Sequence, residues 1–127
     1  MKDSPFNLKE AAADFLRYVV KGKIREAYQD YIGEDFIHHN AYFKGDPKSL
    51  MEAMEENHLL LPDKSIEIRQ VIQEGDKVMV HSLIRRHAGD TGLSTVHIFR
   101  FRDGKVIELW DIGMEIPTTV VNENGAF

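Results

Sequence analysis

Near the start of the chain, apolar residues recur every three or four positions: Leu8, Ala11, Ala12, Phe15, Leu16 and Val19. That spacing lays them along one face of a helix. Ser4-Pro5, and then Asn7 with Glu10, supply helix-start chemistry, and Gly22 supplies a stop. A second, shorter helix is predicted near Ile24 to Tyr31, burying Ile24, Ala27, Tyr28 and Tyr31, with Gly33 ending it. The stretch from Asp35 through Phe36, Ile37, His38 and His39 to Asn40 reads as a short strand or an extended entry to a loop. Gly45-Asp46-Pro47 opens a third helix, with Asp46 as cap and Pro47 in the first turn. Leu50, Ala53, Met54 and Asn57 share its inner face, and Pro62 closes it.

From Ser65 the period changes from helical to alternating. Residues 65–73 and 77–87 form two strands joined by a tight turn at Glu74-Gly75-Asp76. A looser connection from Gly89 to Gly92 follows. Residues 93–102 and 105–114 then pair across Asp103-Gly104, the strongest hairpin signal in the chain. The order is helix, helix, short strand, helix, then four strands in an antiparallel meander. This is an α+β pattern, and a strongly bent sheet wrapped around three helices is one way to bury it. With no repeat, linker or low-complexity tract, residues 1–127 are expected to form one domain.

Composition narrows the classes of function. The net charge of −5 argues against nucleic acid or an anionic membrane as the main partner, although it serves solubility equally well. The absence of cysteine excludes disulfides, thiolate metal sites and a cysteine nucleophile. Met1 to Pro5 lack the apolar stretch of a signal peptide, and no apolar run approaches membrane-spanning length, so a cytoplasmic location is expected. Six histidines raise the question of a metal, but there is no H-x-x-x-H or H-E-x-x-H spacing. A site assembled from His39, His81, His97 and Asp111 would have to come from the fold alone, and no metal or cofactor is expected.

Two local motifs, with the order of elements, carry a resemblance. Phe36-Ile37-His38-His39-Asn40 followed by Gly45 is similar to a family pattern Y-I-Q-H-N-P … G. Val96-His97-Ile98-Phe99-Arg100, then Asp103-Gly104-Lys105-Val106-Ile107-Glu108-Leu109-Trp110-Asp111, is similar to V-D-I-F-R … D-G-K-I-V-E-H-W-D. The chain thus resembles the SnoaL-like group of the NTF2-like superfamily. That resemblance implies a cone-shaped α+β barrel enclosing a small-molecule pocket. The chain departs from the family pattern at His97, often aspartate there, at Leu109, often histidine, and at Met114, often glutamine. Ala41 stands where proline commonly follows the His-Asn pair. These departures imply a drier and differently charged pocket.

Asp111 leads the site residues. The resemblance sets it at the last-strand acidic position that serves as acid or base in several relatives. From the residues alone, Ile107, Leu109, Asp111 and Gly113 alternate onto one strand face, so Asp111 is a carboxylate on an otherwise apolar face. Desolvation would raise its pKa, and an ion pair with protonated His97 would reverse that shift. The alternative is a hydrogen-bonded structural aspartate. His97 shares a side with Phe99 and Phe101. Counting outward from Asp103-Gly104 sets it opposite Trp110 and next to Asp111, and a bulge would shift this register by one. It is either the partner of Asp111 or an inert core histidine.

Because neighbours on an extended segment point opposite ways, only one of His38 and His39 can be inside, and the motif favours His39. Asn40 is expected to bind a substrate oxygen. His81 reads as pocket lining or as core, and Trp110 as a pocket wall or as part of an outer-face interface.

The function expected is a cofactor-independent enzyme doing acid/base, enolate-type chemistry on a small apolar carbonyl compound, such as isomerisation, aldol cyclisation or dehydration. Asp111, His97 and His39 would be catalytic, with Asn40, His81 and Trp110 binding substrate. The alternative is a non-catalytic ligand-binding module or a protein-interaction domain. Val106, Glu108, Trp110, Ile112 and Met114 fall on the other face of the last strand, with Val96 and Ile98 beside them. Such an apolar stripe points to a homodimer, unless the tail 117–127 folds back over it.

Overall fold

Asn7 caps the first helix as its spacing requires: its side-chain oxygen accepts a hydrogen bond from the Glu10 backbone N–H at 3.1 Å. The computed structural model describes residues 7–127, so Ser4 and Pro5 lie outside the described residues. Three helices and five strands follow in the order α1 (Leu8–Val20), α2 (Ile24–Tyr31), β1 (Ile32–His39), α3 (Pro47–Leu60), β2 (Ser65–Glu74), β3 (Lys77–Arg85), β4 (Leu93–Arg102) and β5 (Lys105–Glu115). Gly22 follows α1 at φ +83°, the left-handed stop anticipated there. Gly33 does not end α2; the chain turns extended at Ile32, and Gly33 sits inside β1. Asp46 caps α3 by accepting from the Ser49 N–H at 2.8 Å, with Pro47 in the first turn.

The strands lie in the order β1-β5-β4-β3-β2, so β1 and β2 are the two edges of an open sheet. From β2 to β5 it is the antiparallel meander expected. β1 joins it parallel to β5, which makes the sheet mixed. The β4–β5 turn has Asp103 at φ +52° and Gly104 at φ +77°, two left-handed residues in succession as a tight hairpin needs.

Arg102 pairs with Lys105, and Phe101 with Val106, but Arg100 then pairs with Glu108. Ile107 is therefore an extra residue, a β-bulge. It changes two expectations. Val106 turns to the inner face, where it is fully buried, rather than to the outer one. His97 pairs with Asp111 itself, and Trp110 pairs with Ile98.

The core lies between α1 and the inner sheet face. Ala11, Ala12, Phe15 and Leu16 pack with Val78, Val80, Phe99, Phe101, Val106 and Leu109. Phe15 is at its centre, with ring centroids of Phe99, Tyr28 and Tyr31 at 5.9, 6.2 and 6.5 Å. No helix among the described residues is long and apolar enough to cross a membrane.

Candidate functional site

Three side chains from three elements converge on one wall of a cavity. β5 contributes Asp111, β4 contributes His97 directly across the ladder, and Asn40 follows the end of β1. His97 Nε2 lies 3.2 Å from Asp111 Oδ1, and the Asn40 amide nitrogen donates to Asp111 Oδ2 at 2.8 Å. The opposite wall is the inner face of α3, with Leu50, Ala53, Met54 and Asn57; Val19, Phe43 and Lys64 complete the lining. The cavity holds about 250 Å³, room for a small organic molecule.

Hydrogen bonds fix how these groups are oriented. Asn40 Oδ1 accepts from the Tyr42 N–H at 3.0 Å, so its NH₂ must face Asp111. Only one of the two amide hydrogens is used there. His38 lies behind, its Nδ1 accepting from the Asn40 N–H at 3.1 Å while Nε2 meets the Lys44 carbonyl at 2.5 Å. An acceptor at Nδ1 and a carbonyl at Nε2 require the tautomer protonated at Nε2. His38 thereby pins the β1–α3 connection that carries Asn40 and Phe43. His97 Nδ1 is buried without a partner, Nε2 is the ring nitrogen that meets Asp111, and both side chains line the cavity.

The electrostatics of Asp111 run opposite to the apolar-face expectation. Burial pushes its carboxyl up, but the His97 hydrogen bond and charge, then Asn40 and the more distant His38, together hold it below its ordinary 3.8. Asp111 is thus an ionised carboxylate near neutrality. Because its folded pKa is depressed, its contribution to stability is present above the unfolded value and is lost as pH falls through the folded one. Urea denaturation of wild type and Asp111→Asn is expected to give a stability gap that shrinks below about pH 4. A gap that widens on acidification would contradict the sign.

The fold brings Asp111, His97 and Asn40 together and separates them from the other residues singled out in the sequence. β1 pairs His38 with Leu109 on the inner face and His39 with Trp110 on the outer. His38 is only 6% exposed. His39, expected inside, instead bonds Glu108 at 2.7 Å and stacks on Trp110 with ring centroids 5.1 Å apart. Glu108 also takes Arg100 at 2.8 Å, and the hydrogen bonds from His39 and then Arg100 hold its carboxyl below the usual range.

His81 is also on the outer face, between Gln70 and Ser94 at 3.1 Å each, so it does not line the cavity. Trp110 is on that face too and does not line this cavity. The four groups considered as metal ligands are therefore divided between the two faces of the sheet. Leu109 is in the core and Met114 is 60% exposed outside it, so neither substitution dries the cavity. The sequence does not single out Lys64, because a lone lysine in a charged sequence reads as solvated surface.

A model of the SnoaL-like polyketide cyclase family matches residues 10–117. No curated protein matches. Among solved structures, an NTF2-like protein of unknown function from Cytophaga hutchinsonii superposes with TM-score 0.70 at 11% identity, over 89% of this chain and 95% of that one. A candidate polyketide cyclase from Acidithiobacillus ferrooxidans gives 0.67 at 24% identity, over 89% and 91%. AclR, a candidate hydroxylase from Streptomyces galilaeus, gives 0.64 at 23% identity, over 87% and 83%. At these identities the likeness concerns the fold.

Proposed function

The chain belongs to the SnoaL-like polyketide cyclase family, and from that premise we propose that it is a cofactor-independent enzyme moving a proton on a small carbonyl compound. The observation that carries this reading is an ionised carboxylate held by His97 and Asn40 on the wall of a cavity otherwise lined largely by apolar side chains. Asp111 removes a proton from the carbon beside the carbonyl. The C–H electron pair moves into a C=C bond, and the negative charge passes to the carbonyl oxygen. The second Asn40 amide hydrogen donates to that oxygen as charge develops. Return of the proton at another carbon gives isomerisation, and attack of the enolate on a second carbonyl gives aldol cyclisation.

A second reading, binding without turnover, is favoured by one observation. A carboxylate held below its ordinary pKa is a weak base near neutrality. Deuterium incorporation separates the two readings. An enzyme of this kind accelerates α-hydrogen exchange into small ketones and oxo acids in D₂O, followed by proton NMR. Ligands that bind with no acceleration would leave the binding module.

We further propose that the outer sheet face joins two copies as a homodimer. Ile37, Ile112 and Met114 are 48%, 56% and 60% exposed on that face, beside Trp110. The C-terminal tail covers a different part, with Phe127 against His81 and Arg69. A symmetric pairing would take the stripe out of water. Sedimentation equilibrium at micromolar concentration is expected to give a dimer for wild type and a monomer for Trp110→Glu. A monomeric wild type would sink the interface.

A further inference from the structure

Lys64 is on the connection from α3 to β2, and it lines the same cavity as Asp111, His97 and Asn40. Its ammonium donates to Asn57 Oδ1, which orients it from the α3 wall. Among the described residues no carboxylate comes within ion-pair distance of it. Lys64 also lines an adjoining groove of about 330 Å³ with Arg17 and Lys21. Arg17 pairs with Asp14 at 3.0 Å, so that among the described residues Lys21 and Lys64 are the groove's other cations. Lys64 is the residue that the two hollows share, and it is the one lysine or arginine among the residues lining the Asp111 cavity.

We propose that Lys64 is the anion-binding end of the cavity and that the substrate is a small carbonyl compound bearing a carboxylate. The proposal rests on the proton-transfer reading and adds a substrate class to it. The carboxylate pairs with the Lys64 ammonium, and the Asn57 amide beside it offers N–H donors. The carbon next to the carbonyl then reaches the wall where Asp111 and Asn40 lie. The repulsion between a bound carboxylate and Asp111 is relieved by holding the acid group on Lys64, away from the reacting carbon. Burial pushes the Lys64 ammonium below its ordinary 10.5, as befits a cation short of counter-charge. A bound carboxylate supplies that charge through a charge-assisted hydrogen bond.

The test uses 4-oxopentanoate and its neutral methyl ester, with binding followed by calorimetry and α-hydrogen exchange by NMR in D₂O. Wild type is expected to bind the acid roughly ten- to hundredfold tighter than the ester, a margin that narrows with added salt. Lys64→Gln is expected to remove the margin, read as the ratio of acid to ester affinity within the same variant. Equal binding of acid and ester by wild type would overturn the proposal without needing the variant. So would a margin that survives in Lys64→Gln. The two readings fail separately. Exchange into the ester without any acid preference refutes the Lys64 site and keeps proton transfer. A Lys64-dependent preference without exchange keeps the anion site and refutes the enzyme.

Discussion

Asp111→Asn is expected to lower α-hydrogen exchange by about a hundred- to ten-thousandfold, the span that a positioned base commonly contributes. The substitution keeps the size of the side chain and an oxygen for His97, but it sets an NH₂ against the Asn40 NH₂, so that one contact opens. What it removes is the charge and the lone pair that accept the substrate proton. Asn40→Ala should lower the rate less, since it deletes one donor to Asp111 and the donor to the developing oxyanion while leaving the carboxylate in place. His97→Ala separates two roles. If His97 only holds Asp111, the carboxyl moves toward its ordinary value and the base becomes intrinsically stronger but less well placed. If Asp111→Asn exchanges as fast as wild type, the carboxylate is not the base. The measurement is the rate of deuterium incorporation at a fixed substrate concentration above saturation.

Phe99→Ala is expected to destabilise the fold by about 3–5 kcal/mol, against a total on the order of 5–15 kcal/mol for a domain of this kind. Phe99 is fully buried on β4, where its ring meets Phe15 edge-on at 5.9 Å and Phe101 at 6.3 Å. Removing the ring deletes the contact between α1 and the middle of the sheet and leaves a void that its aromatic neighbours fill only in part. Tyr42→Ala is the comparison. Its side chain is 90% exposed and only its backbone N–H serves Asn40, so it should change stability by less than about 0.5 kcal/mol. Urea midpoints read both, and a Phe99→Ala protein as stable as the Tyr42 variant would contradict the packing.

Local signals made most of the architecture legible. The bounds of α2 and β4 follow from apolar spacing and from the Asp103-Gly104 turn, because both depend on residues close in sequence. The parallel pairing of β1 with β5 carries no such signal: it joins residues some seventy positions apart with no turn between them. The bulge at Ile107 is hidden for a different reason. Val106 and Ile107 are both apolar, so the hydrophobic pattern reads the same with or without the extra residue, and the one-place shift that sets His97 against Asp111 is written only in the ladder.

A motif match gives a position and not the side of the strand, which is why it favours His39. The partner strand decides that side, and it turns His38 inward with Leu109. Asp111 and Asn40 stand in distinctive local sequences, whereas Lys64 joins them in the cavity lining only once α3 folds against the sheet.

The ionised state of Asp111 joins the geometry to the chemistry, and it can be read directly. Titration of the Asp111 carboxyl carbon by ¹³C NMR should give a pKa below 3.8, and His97→Ala should raise it. A wild-type value above 3.8 would contradict the account, since burial would then outweigh His97 and Asn40.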